Sequence, residues 1–281
     1  MAKRASLFLL LLLSACAAPA KRPPLASAYV PAPLTAAHRP TPALEAHIPP
    51  FARDPYEPFS RAAAVAIAKS EWRAFGKPVV FPHIPLPRDE EREQGLWQRV
   101  GLYWWLGLDP SWPESGFTGK HDAQGRVFPR KKDGDYAWSA AFISYVMRMA
   151  GAGTQFPYSP THSDYINAAR LHAMGEAPGI AVTSERPELY APRIGDLICE
   201  WRAGVRVTYD DLPTPYRFPS HCDIVVGKEP GFLDVIGGNV DNAVAMKKVP
   251  VTPEGRLAYP DGERVDPDHH WFVVIRVHYD E

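Results

Sequence analysis

Two apolar rhythms divide the chain from about residue 59 onward. Between 59 and 75, Ala62, Val65, Ala66, Lys69 and Trp72 recur at helical spacing, and Gly76 and Pro78 supply a stop. The Pro-punctuated stretch 79–87 reads as loop. A second helix is expected from a cap at Asp89 to about Leu106, with Glu90, Glu91 and Glu93 near its positive end and Leu96, Val100, Tyr103 and Trp104 on its apolar face. Residues 109–134 are Gly- and Pro-rich and read as loop. The segment Asp135–Gly151 follows, with Ala140, Ala141, Ile143, Val146, Met147 and Ala150 apolar at helical spacing, so a buried helix ending at Gly151 is expected. A fourth helix is expected over 163–173. Beyond Arg193 the period becomes strand-like, over 196–203, 221–228, 232–236, 243–249 and 271–279. Helices first and strands later imply an α+β domain, helices packed on an antiparallel sheet, over 59–281.

The region before residue 59 has another character. Lys3 and Arg4 precede the short apolar run Leu7–Leu13, which is too short to span a bilayer and has the form of an export signal over 1–15. Leu13-Ser14-Ala15-Cys16 resembles the lipobox of bacterial lipoproteins. That resemblance implies lipidation of Cys16, membrane attachment and, with Ala17 following, the periplasmic face of the outer membrane. The rest of 16–58 is rich in Pro and Ala and poor in large apolar residues, as an extended tether would be. The net charge of −1 shows no basic footprint, so no nucleic-acid partner is expected. Of three cysteines, Cys199 and Cys222 remain after Cys16. Both fall in expected strands, as a disulfide or as buried thiols, and the demands of cross-strand geometry weigh toward thiols.

One hydroxyl stands out chemically. Ser139 lies at the start of the Asp135–Gly151 helix, where unpaired N–H groups favour a developing anion, although serine is also a common N-cap. Trp138-Ser139-Ala140-Ala141-Phe142-Ile143-Ser144 resembles the nucleophile helix of CHAP-type and NlpC-type peptidoglycan hydrolases, with Ser in place of their Cys. Gly195-Asp196-Leu197-Ile198, Ser220–Val226 around His221, and Ile236-Gly237-Gly238-Asn239-Val240 resemble their three following strands. The whole wording is closest to a family of bacterial lipoproteins related to those hydrolases.

The resemblance implies a papain-like (CHAP/NlpC-like) fold. It also implies a site of Ser139 as nucleophile, His221 as base and Asn239 as the group orienting it, acting on peptidoglycan amides. Trp138, His162 and Tyr165 are the expected substrate contacts. The alternative is a silent relative of the same fold that binds cell wall or protein, because an alcohol depends on its base more than a thiolate does. No cofactor is expected and no metal: Asp266, His269 and His270 have ligand-type side chains but not the spacing. Cys222 adjoins His221 on a strand and so points to the other face. Asp223 shares the face of His221, where it either biases the imidazole's charge or is simply a solvated edge residue. Gly237-Gly238 reads as a tight bend. Tyr103, Trp104 and Trp105 read as a packing face rather than a sugar platform.

Overall fold

Helix α3 (Ser139–Met149) lies against a seven-stranded sheet, and the two described α-helices that precede it in the chain pack on it. The structure, a computed structural model, describes residues 57–80 and 89–280. The expected signal, Cys16, nearly all of the tether and most of the loop after Val80 lie outside the described residues.

Four α-helices are described: α1 (Arg61–Ala74), α2 (Leu96–Gly107), α3 and α4 (His162–Ala173). The Ser60 hydroxyl caps α1 by accepting from the Ala63 N–H at 3.3 Å. The helix expected from Asp89 is in fact a short 3₁₀ turn, Glu90–Arg92, followed by α2. Gly95, at φ 90°, breaks the run in a conformation that glycine adopts without cost.

The strands are β1 (Val79–Val80), β2 (Val182–Glu185), β3 (Leu197–Trp201), β4 (Ser220–Glu229), β5 (Phe232–Val240), β6 (Ala243–Pro250) and β7 (Trp271–Val277), in the order β1-β6-β5-β4-β3-β7-β2. The domain is α+β, but the sheet is mixed rather than purely antiparallel, because β1 runs parallel to β6. Both unanticipated strands, β1 and β2, are short edge strands whose apolar pattern is too brief to read locally.

Strand alternation gives the sheet two buried faces. Leu197, Cys199, Cys222, Ile224, Ile236, Val273 and Ile275 join the helices in one core. Ile198, Val225, Val235, Val249, Trp271 and Val274 form a second core on the other face, covered by Leu257, Tyr190 and Val251. Cys199 and Cys222 stand directly opposite each other in the β3–β4 register and form a disulfide, not two free thiols. Register decides this, since direct opposition brings two Cβ atoms within bridging reach. The domain closes where Phe59 and Asp280 exchange hydrogen bonds, Phe59 N–H to the Asp280 carboxylate at 3.0 Å and Asp280 N–H to the Phe59 carbonyl at 2.9 Å.

Candidate functional site

Two buried polar chains meet at the start of α3. The first runs Ser139, His162, Tyr165. Trp138 occupies the N-cap position, so Ser139 begins the helix proper, and its hydroxyl does not cap it. Instead Ser139 Oγ lies 2.7 Å from His162 Nε2. His162 opens α4, and Tyr165, one turn later on the same face, places its hydroxyl in hydrogen-bond contact with His162 Nδ1. Ser139 is 8% exposed, His162 3% and Tyr165 0%. Burial first, and the neighbouring His221 second, push the His162 pKa well below the usual imidazole range against an opposing pull from Asp223. The imidazole is therefore neutral.

The second chain runs His221, Asp223, Lys247. His221 Nε2 is 3.0 Å from Asp223 Oδ1, and Lys247 Nζ is 2.8 Å from Asp223 Oδ2. Burial would raise the Asp223 pKa, but Lys247 and His221 together hold it well below the usual carboxylate range. The group is thus a carboxylate and can only accept, which makes His221 Nε2 the protonated nitrogen. Burial lowers the His221 pKa and Asp223 only partly restores it, so this imidazole is neutral too and Nδ1 carries its lone pair. The His162 and His221 ring centroids are 5.3 Å apart, which brings the two chains into contact.

Glycines make this possible. A Cβ at Gly237 would fall 1.9 Å from Asp223 Oδ1 and 2.8 Å from His221 Nε2. One at Gly238 would fall 2.5 Å from Phe142 Cβ. The Gly-Gly pair is therefore not a bend. It is a strip of bare backbone, with the His221–Asp223 pair on one side and α3 seated on the other.

The structure rearranges the expected constellation. Ser139 contacts His162, and no Ser139–His221 hydrogen bond occurs among the described residues. No Asn239–His221 hydrogen bond occurs among the described residues: the Asn239 backbone is left-handed (φ 56°) where β5 bulges, and the residue lines a neighbouring cleft with Glu200, Trp201 and Lys247. Asp223, two residues along the strand from His221, occupies the orienting place. Trp138 does not face a groove either. It is fully buried against Phe75 and Tyr103 and donates its indole N–H to Glu91 Oε2 at 2.6 Å. His162 and Tyr165 sit inside the polar cluster rather than on an open surface.

Other sequence features have structural uses. Asp196 accepts from the Tyr190 hydroxyl and from the Arg193 and Val277 N–H groups, which pins the start of β3 to the end of β7. Asp266 accepts from the Trp271 indole and contacts His269 at 2.8 Å each. No group of three His, Cys, Asp or Glu side chains placed to hold a metal ion occurs among the described residues. Tyr103 and Trp104 are buried, whereas Trp105 is exposed.

Residues 91–277 match the family described as "Uncharacterized protein conserved in bacteria (DUF2272)". The chain belongs to the DUF2272 family. All five residues of the cluster, from Ser139 to Asp223, lie inside that match, as does Lys247. Comparison of this DUF2272 chain with curated proteins and with solved structures found no match.

Proposed function

We propose that this DUF2272 chain is a lipoprotein, anchored through Cys16 at the periplasmic face of the outer membrane, whose papain-like domain hydrolyses amide bonds in the peptide part of peptidoglycan. The observation that carries the reading is a serine hydroxyl at the first turn of a buried helix, 2.7 Å from one neutral imidazole. A second imidazole, aligned by a carboxylate, lies beside the first.

The roles follow from the proton positions. Ser139 is the nucleophile, and free N–H groups in the first turn of α3 face the oxyanion that forms on the carbonyl. As Oγ bonds to the carbonyl carbon, its proton passes to an imidazole. That imidazolium then protonates the leaving amine, and water releases the acyl group from Ser139 to restore the hydroxyl. Asp223 steadies His221 in its doubly protonated form. Peptidoglycan enters this reading from the likeness of the helix and strand wording to CHAP-type and NlpC-type hydrolases, and the anchor from the lipobox-like segment.

The enclosure of the cluster favours a second reading. With Ser139 8% exposed and His162 3% exposed, substrate reaches the hydroxyl only after an opening. A domain that binds wall or partner without turning it over would need none. Incubating the full chain with purified peptidoglycan separates the two readings. The hydrolase reading expects released muropeptides, at least a hundredfold fewer with Ser139→Ala. An inert natural chain that gains activity as Ser139→Cys would establish the silent-binder reading instead.

A further inference from the structure

We infer that His162 is not the base but a positioning residue, locked by Tyr165 as the tautomer that donates from Nε2 to Ser139 Oγ, which leaves proton removal to His221. The inference rests on the hydrolase reading for its catalytic meaning, though the lock itself does not.

The placement of the hydrogens fixes the tautomer. Tyr165 is fully buried, and its hydroxyl has one hydrogen-bond partner among the described residues, His162 Nδ1. If Nδ1 held the imidazole proton, the phenol would accept and its own hydrogen would be buried without an acceptor. A buried hydroxyl hydrogen left that way carries the desolvation cost of the group with nothing to offset it. If the phenol donates to Nδ1, both of those groups are satisfied, and the hydrogen left over is that of Ser139, which at 8% exposure can be met by water where the fully buried phenol cannot. The phenol remains protonated, because burial first, with Asp223 and Asp164 adding to it, raises its pKa well above the usual range. A neutral imidazole that accepts at Nδ1 carries its proton on Nε2, and Nε2 faces Ser139 Oγ at 2.7 Å.

A nitrogen that already holds a proton cannot take the serine's. His162 therefore fixes the oxygen by donation and leaves the serine hydrogen uncommitted. His221 is the complementary partner, with Nε2–H given to Asp223 and no hydrogen bond to Nδ1 among the described residues. Its ring adjoins that of His162, and a nucleophile–base contact that is absent in the free protein can form on substrate binding. In the step itself the Oγ–H bond breaks, the proton goes to His221 Nδ1 and Oγ bonds to the carbonyl carbon. His162 keeps its proton throughout.

Both parts can be tested on the full chain in detergent with ¹⁵N-labelled histidine. Two-bond ¹H–¹⁵N spectra distinguish the tautomers, and His162→Gln and His221→Gln spectra assign the two rings. His162 should show a protonated Nε2 and a bare Nδ1, and Tyr165→Phe should convert this to mixed tautomers. A protonated Nδ1 in the natural chain, or a tautomer unchanged by Tyr165→Phe, would overturn the lock. In muropeptide release, His162→Gln retains an N–H donor and should keep kcat within about tenfold, His162→Leu, which removes the donor, should fall below His162→Gln, and His221→Gln should lose about 10²–10⁴-fold, the usual size of a lost acid–base contribution. Equal losses in His162→Gln and His221→Gln would return the base role to His162. If the natural chain releases nothing, the hydrolase reading falls, and the spectra still decide the lock.

Discussion

Glu91 is 3% exposed beneath the indole of Trp138, next to the helix start that presents Ser139. Burial raises its pKa from 4.5 to about 7, although the Trp138 hydrogen bond pulls the other way. Between those two values the folded protein holds a proton there that the unfolded chain releases, so this group makes stability fall as pH rises from 4.5 to about 7. His162 and His221 act in the opposite sense. Their depressed pKa values cost stability as pH falls through the usual imidazole range. A comparison of the natural chain with Glu91→Gln cancels the histidines. Chemical denaturation should show the variant gaining on the natural protein by roughly 3 kcal/mol at most across that window, at about 1.4 kcal/mol per pH unit. A difference that stays flat with pH would refute the assignment. At this scale Ser139, His162, Tyr165 and His221 were all legible as candidates. Ser139 and His221 were marked by the resemblance, and Tyr165 stands one turn from His162. Their partnership was not legible, because which imidazole reaches Ser139 depends on where α4 docks.

At the level of elements, the close approach of α3 to the sheet decides the geometry. Gly238 leaves Phe142 and Trp138 to fill the space where a side chain would stand, with Trp138 Cζ3 2.8 Å from the missing Cβ. Gly238→Ala forces α3 away from β5, and overpacking of this kind costs about 1–3 kcal/mol. It should lower Tm and, through displacement of Ser139, reduce muropeptide release by more than the stability loss explains. Gly237→Ala acts on the opposite face and should disturb the His221–Asp223 pair while sparing α3. A Gly238→Ala protein as stable as the natural one would refute the packing account. A buried anion ties the helices together. Glu71 on α1 accepts from Tyr103 on α2 at 2.5 Å, from Arg99 at 2.8 Å and from Tyr145 on α3 at 3.3 Å. The sequence pattern identified these helices and located Ser139 at the helix start, but it ran α2 together with the preceding 3₁₀ turn. A left-handed glycine interrupts a helix without changing its apolar rhythm.

For the whole molecule, the Cys199–Cys222 bond joins β3 to β4 at the strand that carries His221 and Asp223. Reduction, or Cys199→Ser with Cys222→Ser, should cost roughly 2–4 kcal/mol, the usual contribution of a disulfide, seen as a lower denaturant midpoint. A thiol count on the unfolded, unreduced protein should find neither of these cysteines free, and two free thiols would contradict the bond. Local sequence determined the succession of helices then strands, the strand-like period of β3, β4 and β7, and the hydroxyl at the helix start. Each of these depends on contacts within a few residues, so periodicity reports it. Tertiary structure alone decided the parallel β1–β6 pairing, the disulfide, the displacement of Asn239 by Asp223 and the choice of His162 as the neighbour of Ser139. Each of these is a meeting of segments brought together by strand register or helix docking, and the free energy that sets register and docking is summed over a whole core rather than written in any one stretch of chain.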